Sequence, residues 1–341
     1  MIDIRCQALS QWFSQCIGVP NPKLSVVSAD ASFRRYFRYQ YGDTSYVLVD
    51  APPATEKNIE FIHFSKAYAN NGLDVPRVLF SELEQGFLCL TDLGDQTLLP
   101  LLHTSSIDDM MRWYQRSLNQ LPLIATINPQ LSSQHYDKAF FELELGIFDE
   151  WFCHNLIGIA VDPAFNKTLV QCFDEIIASA LEQPIVTVHR DFHARNIMVR
   201  DLTSLAVIDF QDTVLGPLTY DAVSLLKDCY FELTDVQRTQ LLEQTYHLFI
   251  ERGLINSSSC EFVQFKQWFD WMGLQRHLKV CGIFARLYLR DNKADYLKDL
   301  PLVVDYIMDT AKQYPQLSPI VTLFDEHIIP VLPRKLTECM Q

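Results

Sequence analysis

Residues 186–200 read VTVHRDFHARNIMVR, and this stretch decides the fold. His189, Arg190, Asp191, His193, Arg195 and Asn196 form a polar island between two runs rich in β-branched residues. Asp191 and Asn196 are five residues apart, and Asp209-Phe210 follows the apolar run LAVI thirteen residues beyond Asn196. A loop of form H-R-D-x-x-x-x-N followed by a strand-borne aspartate is the arrangement of a phosphoryl-transfer loop. The chemistry explains the residue types. A carboxylate on a rigid loop, Asp191, can accept the proton of an attacking hydroxyl. An amide oxygen from Asn196 and a carboxylate from Asp209 are the hard donors that Mg2+ takes beside nucleotide phosphates. The alternation of His189, Asp191 and His193 also admits a zinc or dinuclear hydrolase site. That reading needs further histidines at ligand spacing, and the other seven are scattered singly. The two loop histidines are therefore expected to brace the loop.

Working outward, 341 residues with nearly half of them apolar are enough for two lobes and a substantial core. Acids outnumber bases 42 to 28, and a net charge of −14 argues against nucleic acid or anionic lipid as a partner. The nine cysteines show no pair at metal-ligand spacing and read as reduced core residues. No signal-type run opens the chain and no apolar stretch is long enough to cross a bilayer, so a cytoplasmic protein, monomeric and without a membrane partner, is expected.

The first 95 residues alternate. A short helix over 4–17 precedes strands at 24–27, 33–40 and 45–50, with YGDT (41–44) joining the last two as a hairpin. A helix capped by Thr55 follows, and then strands VPRVLFS and GFLCLTD. Beyond Asp95 the periodicity is helical at 107–121, 137–158, 164–182, 219–231, 234–252, 259–291 and 295–313, broken by short strands around the quoted loop. The expected fold is α+β and two-lobed. Residues 1–95 form a small five-stranded antiparallel nucleotide-binding lobe, and residues 96–341 form a larger, mainly helical lobe holding the catalytic loop and acceptor site.

HRDFHARN followed by VIDFQD resembles the aminoglycoside-phosphotransferase-like kinases, a small-molecule branch of the protein-kinase-like fold. DASFRRYFR (30–38), VLVDAPP (47–53), GFLCLTDLGD (86–95), ELELGIFDEWF (142–152) and LQRHLKVCGIFARLYLRD (274–291) are similar to the cell-wall-recycling kinases within it. Those enzymes phosphorylate N-acetylmuramate and N-acetylglucosamine at the anomeric hydroxyl, and the similarity spans nearly the whole chain. The resemblance implies ATP and Mg2+, with Asp191 as base, Asn196 and Asp209 as metal ligands, and Thr91, Asp92 and Leu93 as the hinge beside the adenine. The chain departs from the wider kinase pattern in two places. It has no glycine between residues 28 and 41, so DASFRR must cover the phosphates, with Ser32 and Arg34 as candidate contacts. Strand SYVLVDAP also lacks the phosphate-pairing lysine, for which Arg34, Arg35 and Lys57 are the substitutes.

On the acceptor side, Asp212 stands three residues past Asp209 and should reach the cleft mouth. Asp221, at a helix start, is expected to anchor the catalytic loop from below. Arg276, Lys279, Arg286 and Arg290 share one face of a helix, about 80° wide at ~100° per residue. Such a cationic stripe in an acidic chain suits an anion, such as the carboxylate of N-acetylmuramate.

Overall fold

The computed structural model of the chain describes residues 3–29, 34–128 and 134–339. Ser32 lies outside them. Helix α1 (Ile4–Ile17) starts on Asp3, whose carboxylate accepts the Cys6 amide, and stops at Gly18 in the left-handed region. A sheet of β1 (Ser25–Ala29), β2 (Arg35–Tyr41), β3 (Thr44–Asp50), β4 (Val78–Glu82) and β5 (Phe87–Thr91) follows. Its order is β1-β2-β3-β5-β4, and every pairing is antiparallel. Strand alternation divides the side chains. Phe37, Tyr39 and Leu48 pack on Leu9 and Phe13 of α1, whereas Tyr36, Arg38 and Val47 line the opposite face. Asp50, at the end of β3, is buried and accepts Arg5 Nε at 2.8 Å and Arg35 Nε at 3.0 Å, tying α1 to the sheet.

Helix α2 (Asn58–Asn70) is inserted between β3 and β4. It begins three residues later than the Thr55 cap predicted from sequence. The Thr55 and Glu56 amides both donate to Pro52 O at 3.0 Å, so the proline pair closes a turn before the helix can start. Gly86, in the β4–β5 turn, has φ +74° and lies against Ala51; a Cβ there would sit 2.0 Å from Ala51 O. Only glycine fits.

The remainder is mainly helical: α3 (Leu98–Thr104), α4 (Ile107–Leu118), α5 (Leu121–Ala125), α6 (Lys138–Ile147), α7 (Pro163–Leu181), α8 (Tyr220–Leu226), α9 (Asp235–Glu251), α10 (Phe262–Asp291) and α11 (Leu300–Gln313). The continuous helix expected over 137–158 divides, because α6 widens into a π-helical segment over Phe148–Ile157. Helix α10, 30 residues long, is the axis of this lobe and is buried on nearly all sides from Phe265 to Ala285. It approaches α6 so closely at Gly282 that a Cβ would meet Ile147 O at 2.4 Å. Two short ribbons carry the polar loop: β6 (Ile185–Val188) pairs with β9 (Val214–Pro217), and β7 (Ile197–Val199) with β8 (Leu205–Val207). Strand β9, sequence VLGP, escapes propensity because glycine and proline are poor strand formers. It forms because β6 needs a partner for its backbone. No described helix is long and apolar enough to cross a membrane.

Candidate active site

Between the sheet and the helical lobe lies a cleft of about 810 Å³, open mouth included. Tyr36, Val47 and the segment Leu90–Gly94 form one wall; Asn196, Met198, Ile208 and Asp209 form the other. Its position between the lobes and its mixed lining suit a small molecule. In the expected hinge, the Asp92 carboxylate accepts from Arg38 Nη2 at 3.0 Å, Gly94 N at 2.9 Å and Ser45 Oγ, so it braces the segment. The Asp92 carbonyl takes Arg200 Nη1 at 3.0 Å, and Thr91 is committed to Arg77. Among the described residues, the Leu93 amide and carbonyl make no hydrogen bond.

The three basic substitutes separate. Arg35 points to the α1 side, onto Asp3 and Asp50. Arg34 lies on the cleft face, almost fully buried, with Nε 3.3 Å from Glu56 Oε2 and its guanidinium 5.0 Å from the Phe61 ring centre. Lys57 crosses the cleft mouth and donates to Asp212 Oδ1 at 2.7 Å. Arg34 and Lys57 therefore lie toward Phe61 and Asp212, and Arg35 turns to the α1 side.

The quoted loop is held from below as expected. Asp221, buried at the start of α8, accepts the His189 amide at 2.7 Å and the Arg190 amide at 3.0 Å. Those bonds hold Arg190 at φ +76°, a strained conformation for a side chain with a Cβ. Burial raises the Asp221 carboxyl despite the nearby His189 and the two amides. His189 Nε2 donates to Ile208 O at 2.9 Å while its Nδ1 accepts the Asp191 amide at 3.3 Å. Both ring nitrogens are thus committed to backbone, and burial holds the ring neutral. Burial likewise pushes His193 down to about 3. Both histidines brace the loop, and His189 has no lone pair to offer a metal.

Asn196 joins the two acids. Its Nδ2 donates to Asp191 O at 3.0 Å and to Asp209 Oδ2 at 3.3 Å, so its amide oxygen is left facing away from both bonds. Asp209 sits at φ +67°, and its Oδ1 accepts Gln211 Nε2 at 2.7 Å. An amide oxygen beside a carboxylate at the nucleotide end of the cleft fits the donor set for Mg2+. Behind Asp209, Phe210 packs on Phe61 and Tyr68 of α2 with ring centres 5.0 and 5.3 Å apart, which couples the Asp209 loop to α2.

Asp191 is partly exposed and faces cations. Arg276 Nη2 lies 3.7 Å from its Oδ1, and Arg276 Nη1 donates to Arg190 O at 2.9 Å. Burial works against the charged carboxylate, but Arg276, Lys279, His193 and Arg190 outweigh it and hold Asp191 well below the usual carboxylate range. The cationic stripe does not survive as an open face. Arg276 and Lys279 are buried; Lys279 Nζ reaches Glu144 Oε1 at 2.9 Å and Tyr220 Oη at 3.1 Å. Arg290 pairs with Asp291 at the exposed helix end. Arg286 lies ~15 Å further along the helix axis than Arg276, among Arg290, Asp291 and Glu150, and is not brought to Asp191.

Glu144 was not singled out by sequence reading. Its carboxylate is buried and takes Arg190 Nη2 at 2.9 Å, Gln275 Nε2 at 3.2 Å, Lys279 and the Tyr136 hydroxyl. Burial would raise it, but Lys279 and Arg190 prevail and keep it ionised. A signal was present. Phe141, Glu144, Leu145 and Phe148 share one helical face, and an acid on an apolar face needs a buried partner.

Comparison with known proteins bears on the family and the fold. Residues 23–253 match the phosphotransferase enzyme family. The chain is 36% identical over 326 residues to a Pseudomonas aeruginosa protein named N-acetylmuramate/N-acetylglucosamine kinase, covering 93% of this chain and 95% of that one. A Neisseria meningitidis protein of the same name is 33% identical, with 93% and 94% covered. Among solved structures, the ADP-bound aminoglycoside phosphotransferase APH(2'')-Ib superposes with a TM-score of 0.62 at 15% identity, over 89% of this chain and 98% of that one. A Plasmodium vivax ethanolamine kinase superposes at 0.61 with 10% identity, over 86% and 85%. The fold is thus the two-lobed one of small-molecule kinases, and the chain belongs to the phosphotransferase enzyme family.

Proposed function

We propose that this protein transfers the γ-phosphoryl group of ATP to the anomeric hydroxyl of an N-acetylated amino sugar, N-acetylmuramate or N-acetylglucosamine, in the recycling of peptidoglycan. The observation that carries the reading is the Asp191–Asn196–Asp209 constellation at the end of the cleft. The relatives' names supply the sugar. Residues 1–95 would hold the nucleotide, with Leu93 at the adenine and Arg34 and Lys57 near the phosphates; residues 96–341 would hold the acceptor.

In the proposed reaction, the sugar hydroxyl attacks phosphorus in line, the bond from the γ-phosphorus to the bridging oxygen breaks, and ADP leaves. Asp191 orients the hydroxyl and takes its proton. A carboxylate with a depressed pKa is a weak base, so the proton moves late, after the hydroxyl has been acidified by bonding to phosphorus. Mg2+, when bound by Asn196 and Asp209, would offset charge on the phosphate oxygens. Arg276 holds the loop through Arg190 O and keeps Asp191 ionised. We further take the chain to act as a monomer in the cytoplasm.

The test is ADP release across a panel of N-acetylated sugars, plain sugars, aminoglycosides and choline, with NMR of the product. Phosphate on the anomeric oxygen of either amino sugar is the expected result; turnover of amines with none of the sugars would overturn the reading. Asp209→Asn should weaken calorimetric ATP affinity at least roughly tenfold with Mg2+ and leave metal-free binding within about twofold, since a lost ionised ligand costs ~1.5–3 kcal/mol.

A further inference from the structure

With Arg276 and Lys279 buried against Glu144 and Asp191, an acceptor carboxylate needs another cation. We infer that Arg195 is the specificity residue that clamps a carboxylate on the acceptor; the inference rests on the amino-sugar reading above. The Arg195 side chain is exposed, and its guanidinium lies 3.6 Å from the centre of the Tyr230 ring. Stacking on an aromatic face holds the guanidinium plane fixed and leaves its N–H edge outward, the geometry for a two-point contact with a carboxylate. Among the described residues, no carboxylate pairs with it; Asp228 and Asp299 feel its charge from farther away.

Asn196 and Met198 line the nucleotide cleft, and Arg195 does not. Its neighbours are His193, packed edge-on against the same Tyr230 ring at 5.5 Å, and Asp228, which caps the Ala194 amide at 3.2 Å. All of these belong to the helical lobe. In-line transfer brings the acceptor in opposite the leaving nucleotide, and a residue outside the cleft lining, two residues from His193 beside Asp191, is a candidate to meet it. N-acetylmuramate carries a carboxylate that N-acetylglucosamine lacks, so a cation here would separate the two sugars.

The experiment compares kcat and KM on both sugars for wild type, Arg195→Ala, Arg195→Lys and Tyr230→Leu. Arg195→Ala should lower kcat/KM for N-acetylmuramate roughly 10–100-fold, chiefly through KM, while N-acetylglucosamine stays within about twofold. Arg195→Lys should recover part of the loss, because the charge returns without the fork. Tyr230→Leu should give a smaller loss of the same selectivity. A parallel fall on both sugars, or no change on either, overturns the inference. Wild type that phosphorylates neither sugar fails at the earlier step and sinks the acceptor reading with it.

Discussion

Asp191→Asn is expected to lower kcat by roughly 10²–10⁴ while the KM for ATP changes by less than about threefold. Asparagine keeps the shape and can still accept a hydrogen bond, but it cannot take the proton. The proposed nucleotide contacts, at Leu93, Arg34 and Lys57, do not include Asp191, so binding should persist. The pH profile adds a second check. The folded-state pKa of Asp191 is depressed, so its ionised form contributes stability above the ordinary carboxylate range and loses it only as pH falls through the lower folded value. The acid limb of wild-type kcat therefore should not come from this residue. Asp228 behaves in the opposite sense: burial raises it to about 6, so its ionisation erodes stability as pH rises from the unfolded value, near 3.9, through that region. Full activity in Asp191→Asn would remove Asp191 as the base.

Glu144→Ala should be strongly destabilising to the helical lobe. It leaves the buried Lys279 without its carboxylate and Arg190 without its ion-pair partner, and breaking a buried pair from one side costs ~3–5 kcal/mol. Against a typical stability of ~5–15 kcal/mol the effect is large, and it should appear as a lower urea midpoint at unchanged slope. Glu144→Gln keeps the volume and the Gln275 and Tyr136 contacts in part, so it should fall between. Kinetics separate the charge from the packing. Arg190 carries the backbone carbonyl that Arg276 grips, so loosening it should lower kcat more than it raises the KM for ATP. A loss below about 1 kcal/mol in Glu144→Ala would mean that the two cations find solvent instead.

What was legible in the sequence was what chemistry confines to neighbouring residues. Asp191, Asn196 and Asp209 are spaced by one loop and one ribbon, and β7 and β8 bring them together as expected. The five-stranded sheet was legible because alternation and turn residues repeat over short distances. Arg276 and Lys279 show the limit. A helical wheel places residues on a common face but says nothing about what the face meets; here Lys279 meets Glu144 and Arg276 meets Asp191, both far away in the chain. Tyr220 was not singled out in the sequence, yet its hydroxyl joins Lys279, Arg276 and Tyr136. Such buried polar groups are defined by tertiary partners and leave a single acid or tyrosine as their only trace. Strand β9 was missed for the same reason, since its register is set by β6 and not by its own residues.

The pair of Lys57 and Asp212 at the cleft mouth has a kinetic consequence. Both side chains are well exposed, at 45% and 37%, so the bridge contributes under ~1 kcal/mol and is screened by salt. It is the kind of contact that breaks within ordinary thermal fluctuation. A nucleotide arriving with its phosphates would compete with Asp212 for the same ammonium, and the departing product would surrender it again. Rising ionic strength should therefore speed exchange at the mouth without touching Asp191, and turnover limited by product departure would quicken where turnover limited by chemistry would not.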